Sequence, residues 1–296
     1  MNELDIVNGL ARYIGSHKPL DRLGRKLKPQ NPQPLKAKVQ NYAKMRTELA
    51  TLDPFMLTHT PNFEPQRGPW VPHFVAAKKA PLLFMPIPSG PTESILKWMA
   101  ELDSVPKKDL QQNFTQSSLR QWKDQYPTHR SFTVLRHPVA RVYEAFCEKI
   151  LSDGEHSFPA IKRHLEKNYG LVLPSEDEKF NAENHKLAFE AFLRFLKPNL
   201  NLQTNIRIDS HWASQSAILT GFAKFCLPDQ VIREDQLKES LSNLCKQVGL
   251  KPANQFTRLY ELSLKPLDAI YDGEIEALVK DIYHRDYVMF GFKPWQ

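Results

Sequence analysis

The chain has 296 residues, 41% hydrophobic and 25% charged, with 23 prolines against 11 glycines and a formal net charge of +7. That length holds one large α/β domain or two small ones, and the composition excludes the disordered and fibrous classes. No apolar run of about 18 residues occurs, so no membrane span is expected, and the first residues lack the basic-then-apolar pattern of a secretory leader.

Cys147, Cys226 and Cys245 are an odd number without C-x-x-C spacing, which fits a reduced, intracellular chain, with the cytoplasm as the expected compartment. The positive charge fits either an ordinary basic surface or attraction of an anionic substrate or nucleotide. Nucleic acid is not an expected partner, because no recognisable motif or aromatic-basic repeat occurs.

Taken in chain order, apolar residues at Leu4, Ile6, Val7, Leu10 and Ile14 predict a short helix over 1–16. A basic, proline-rich stretch follows over 17–36, then a helix over 35–52 through Val39, Tyr42, Met45, Leu49 and Leu52, then a proline-rich loop over 53–72. Residues 1–76 are thus expected to form a helical, Pro-rich extension, and residues 77–296 an α/β domain. In that domain, strands are predicted at 81–87, 131–136 and 230–233. Helices are predicted at 92–102, 138–152, 158–168, 183–196, 235–248 and 272–287. A polar helix or loop is expected through 124, and a turn with a helix start within 206–227. Strands alternating with helices imply a parallel sheet with right-handed crossovers.

Two segments share one plan. Leu82–Ile87 runs into the turn Pro88-Ser89-Gly90-Pro91 and the helical Thr92-Glu93-Ser94-Ile95; Phe132–Leu135 runs into Arg136-His137-Pro138-Val139-Ala140-Arg141. Each is an apolar strand, a sharp turn and a helix start. Helix N-termini present unpaired N–H groups and a positive dipole end, which suits phosphate and suggests a nucleotide site. Both turns lie where ligands of parallel sheets bind, beyond the C-terminal strand ends. Neither is a Walker loop or a G-x-G-x-x-G turn.

These segments resemble the two donor motifs of sulfotransferases, nearest the carbohydrate-type branch. Phe132–Arg141 is similar to the second motif: strand, Arg, Asp or His, Pro, two variable residues, Arg. Ile87–Ile95 aligns without gaps on the first: Ile-Pro-Lys, three small residues, Thr, Ser, an apolar residue. Asp209-Ser210-His211-Trp212, Val231–Leu237, and Tyr283, Asp286 and Phe290-Gly291-Phe292 resemble later family segments. The resemblance spans about 80–292. It implies a P-loop-NTPase-like parallel sheet flanked by helices, and transfer of a sulfuryl group from 3′-phosphoadenosine 5′-phosphosulfate to a hydroxyl, a saccharide hydroxyl being one such acceptor. No metal is expected. Carried over by position, Ser89, Gly90, Thr92 and Ser94 would hold the 5′-phosphosulfate and Arg136 the 3′-phosphate. His211 is the candidate base, with Glu93 as a further catalytic candidate.

Three positions depart from the pattern. The motif Lys is Ser89, the motif Thr is Glu93, and the Ser expected after the Arg motif is Glu144. Like charges at close range repel by about 1–4 kcal/mol, and a missing charged hydrogen bond costs about 1.5–3 kcal/mol. Lys97, Arg141 or a basic loop residue would have to compensate. A catalytically impaired sulfotransferase-like binding module therefore stays open as the alternative. Plainer roles stay open too: Arg136 pairing with Glu144, His137 capping its turn, His211 as a structural histidine, and Glu93 serving its helix dipole.

Overall fold

The computed structural model describes residues 73–295 except 78, 113, 174–180, 224–225 and 252–264. All of these belong to the unit Pro54–Gln296. The helices expected over 1–16 and 35–52 lie outside the described residues, as do the proline-rich stretches beside them.

The described strands form one sheet in the order β1 (Val75–Ala76), β2 (Leu82–Phe84), β3 (Arg130–Leu135) and β4 (Gln230–Arg233). β2, β3 and β4 are parallel, and β1 pairs antiparallel with β2. β1 is a finding: two residues are too few to show alternation, and they place the sheet's start ahead of residue 77. The α-helices are α1 (Thr92–Asp103), α2 (Gln116–Gln125), α3 (Pro138–Phe146), α4 (Pro159–Tyr169), α5 (Ala182–Leu200), α6 (Gln215–Phe222), α7 (Leu237–Gln247), α8 (Lys265–Ile270), α9 (Gly273–Ile282) and α10 (His284–Phe290).

Helices cover both faces, which is why β2 and β3 are apolar almost throughout rather than alternating. Leu82, Phe84, Phe132 and Val134 pack with Ile95, Trp98 and Met99 of α1 and with Leu237, Leu241 and Leu244 of α7. Leu83, Met85 and Leu135 face the other way, into a larger core with Val142 and Phe146 of α3 and Phe189, Phe192 and Leu196 of α5. Thr133, a polar residue buried in β3, donates its hydroxyl to Met85 O at 2.6 Å.

Two predicted helices differ in detail. The helix expected over 138–152 is α-helical to Phe146 and finishes as a π turn over Cys147–Leu151. The helix expected over 272–287 breaks at Tyr283 into α9 and α10. Around that break, Tyr283 donates to Trp212 O at 2.7 Å, and Asp286 accepts from Gln215 N at 2.7 Å and Ser216 N at 2.9 Å. Both residues thereby hold the segment that leads into α6.

Candidate functional site

β2 and β3 are in register through Phe84 and Phe132, and Met85 N donates to Phe132 O at 2.9 Å. Their exits therefore open side by side at one end of the sheet, where the two turns meet. In the first turn Gly90 N bonds Ile87 O at 3.0 Å, with Ser89 between them at φ 58°. A Cβ on residue 90 would stand 2.8 Å from Ile87 O and 3.9 Å from Val134 O, so the turn admits no side chain there. Thr92 N bonds Gly90 O at 2.8 Å, and α1 starts after Pro91 with no side-chain cap. Ser94 is buried in the first turn of α1. The Ser89 hydroxyl oxygen is buried and has no hydrogen-bond partner among the described residues. Glu93 turns outward: it forms an exposed ion pair with Lys107, on the rim of an open groove shared with Lys97 and Glu101.

In the second turn the Arg136 side chain is fully buried. Its Nε donates to Glu234 Oε2 at 2.9 Å and its Nη2 to Glu234 Oε1 at 3.2 Å. The register explains the pair: Leu135 lies opposite Arg233, so the next residues, Arg136 and Glu234, leave the sheet side by side. Gln215 grips the Arg136 backbone from both sides. Its Oε1 accepts from Arg136 N at 3.0 Å, and its Nε2 donates to Arg136 O at 2.8 Å. Glu234, 98 positions on, thus holds Arg136 across the sheet end.

His137 caps α3: Val139 N donates to its Nδ1 at 3.2 Å, and its Nε2 meets Lys293 O at 2.8 Å. One ring nitrogen accepts and the other donates, so this is the neutral imidazole with its proton on Nε2. Burial pushes its pKa down, against smaller opposing pulls from the Lys293 carbonyl and Glu276.

Arg141 ties the site together. Its Nε donates to Pro88 O at 2.9 Å, Nη2 to Ser210 O at 2.8 Å and Nη1 to Ala213 O at 2.6 Å. One guanidinium thus holds the residue before Ser89 and the residue before His211. Backbone carbonyls thus engage all three nitrogens of the Arg141 guanidinium.

His211 Nδ1 lies 2.5 Å from Asp209 Oδ1, which also accepts from His211 N at 2.9 Å. Burial pushes the Asp209 carboxyl up, but the His211 contacts outweigh it and leave it below its ordinary value. A carboxylate on Nδ1 fixes the ring's tautomer and orientation. Behind it the Trp212 indole donates to Asn199 Oδ1 at 3.0 Å, anchoring the segment in the core.

The structure therefore gathers Ser89, Gly90, Thr92, Ser94, Arg136 and His211 around one end of the sheet, and sends Glu93 outward. Sequence reading missed Asp209, Glu234 and Gln215 as supporting groups. The D-x-H spacing could have revealed Asp209; nothing local marks Gln215 as the partner of Arg136.

A mostly parallel sheet flanked by helices, with adjacent strand exits beside a helix N-terminus, defines an α/β domain of the kind that places ligands at its strand ends. The model of the Sulfotransferase family matches residues 72–293, and the chain belongs to that family, whose chemistry is sulfuryl transfer. No curated protein and no solved structure matches the chain. Among the described residues no helix is long and apolar enough to cross a membrane.

Proposed function

We propose that the protein transfers a sulfuryl group from 3′-phosphoadenosine 5′-phosphosulfate to a hydroxyl, with saccharides the first acceptor class to test. The observation that carries this reading is the single guanidinium of Arg141, which holds the Ser89 turn and the Asp209–His211 pair against each other. A phosphosulfate cradle and a base must adjoin for such a reaction, and a brace common to the two segments supports that reading.

The first turn suits the sulfated end of the donor. Its closed bend, the uncapped start of α1 and the unpartnered Ser89 hydroxyl offer N–H and O–H donors to an anion. In the reaction the acceptor oxygen bonds to sulfur, and its proton passes to His211 Nε2. The bond from sulfur to the 5′-phosphate oxygen breaks, its electron pair leaving with the phosphate.

One observation favours the alternative of an impaired, ligand-binding protein. Arg136, assigned by resemblance to the 3′-phosphate, already has Nε and Nη2 on Glu234, so a phosphate there competes with a buried carboxylate. Titration calorimetry with 3′-phosphoadenosine 5′-phosphate separates the two readings. Micromolar binding, with sulfuryl transfer to a saccharide panel that vanishes in His211→Gln while binding persists, supports the enzyme. Absence of binding at millimolar ligand supports the alternative.

A further inference from the structure

The first turn lacks a cation, since Ser89 stands where the resembling motif carries Lys. A different lysine approaches the base. Lys149 is the one buried lysine among the described residues, 4% exposed. It sits in the π turn that extends α3, and such turns are frequent at functional sites because they re-aim side chains. Its Nζ donates to Glu148 at 2.8 Å and lies 5.3 Å from the centroid of the Phe158 ring.

That ring leads to the base. Phe158 N is bonded to Lys149 O at 2.8 Å. The Phe158 ring meets His211 edge-on at 6.4 Å and Trp212 at 5.8 Å. The positive charge of Lys149 is also felt at Asp209. An ammonium has three donors, and Glu148 is its one hydrogen-bond acceptor among the described residues. A buried ammonium with unused donors is costly in a dry site and cheap beside an anion.

Granted the 3′-phosphoadenosine 5′-phosphosulfate reading on which this rests, we propose that Lys149 supplies the cationic contact to the sulfuryl oxygens that Ser89 cannot. Lys149 neither gives nor takes a proton in this step. It neutralises the charge carried by the sulfuryl group as the new S–O bond forms and the bond to the phosphate oxygen breaks, while the acceptor's proton goes to His211.

Calorimetry with two probes tests this, using 3′-phosphoadenosine 5′-phosphosulfate and its desulfated product on the full chain. Loss of one charge-assisted hydrogen bond lowers affinity by about tenfold. Lys149→Met should therefore weaken the sulfated probe about tenfold and leave the desulfated one within about twofold. Lys149→Arg should keep most of the difference, and Ser89→Lys placed on Lys149→Met should restore it. Equal affinities in wild type and Lys149→Met, or a parallel fall for both probes, would overturn the assignment. If wild type binds neither nucleotide, the donor reading fails and inorganic sulfate becomes the probe. Millimolar sulfate binding that disappears in Lys149→Met keeps Lys149 as an anion contact; sulfate binding unaffected by the change, or none in wild type, removes it.

Discussion

Arg136 and Glu234 form a two-pronged buried ion pair, their side chains 1% and 7% exposed, that joins the ends of the two neighbouring parallel strands β3 and β4. Removing one partner of such a pair strands the other charge, whereas replacing both with apolar residues removes the problem. Glu234→Leu should cost about 3–5 kcal/mol of folding stability, and Arg136→Met with Glu234→Leu far less than the sum of the single changes. Urea unfolding of the four-member cycle measures this directly.

Arg141 is braced on three backbone carbonyls from two distant segments. Lysine keeps the charge but offers a compact ammonium in place of a planar fork. Arg141→Lys should therefore lose about 2 kcal/mol or more, since buried carbonyls left without donors cost about 1–3 kcal/mol each. Hydrogen exchange should quicken in residues 86–91 and 209–214 together. A response in only one of them would contradict a shared brace.

Gly90 leaves no room for a methyl group, with Ile87 O at 2.8 Å from the added carbon. Gly90→Ala should destabilise the protein by about 1–3 kcal/mol, the usual range for overpacking against atoms that cannot move aside. It should also weaken binding of 3′-phosphoadenosine 5′-phosphate, because the turn must open to relieve the clash. Thermal unfolding and calorimetry on the same sample check both parts.

His137 makes stability depend on pH. Burial holds its folded-state pKa below the ordinary value, and the unfolded chain titrates near about 6.5. As pH falls, the unfolded chain takes the proton first, so the contribution is present above about pH 6.5 and is lost on acidification towards the lower folded value. The protonated ring can no longer accept from Val139 N. His137→Asn keeps a capping oxygen and should flatten this part of the profile. His164 and His185 are also pushed down by burial, so the difference between wild type and variant, followed by urea melts from pH 8 to about 5, is the informative quantity.

Much of the site could be read from local pattern. The 131–136 strand stood out as an apolar run cut short by a turn, and the start of α3 was marked by Pro138 at its first position. β1 escaped because two residues carry no period. The π turn escaped because its apolar spacing passes for the last turn of an α-helix, yet it is what places Lys149. The break at Tyr283 escaped for a similar reason: periodicity continues across it while the backbone does not.

Periodicity, turn residues and motif order are properties of neighbouring positions, so the chain's own order of amino acids settled the α/β class, the two strand exits and the family pattern that runs through them. Which charge meets which was decided by folding. Glu234 lies 98 positions beyond Arg136 and Ser210 lies 69 beyond Arg141; only a parallel register and a packed core bring them within hydrogen-bond reach. Electrostatic partnership falls off with distance in space, and distance along the chain carries almost no record of it.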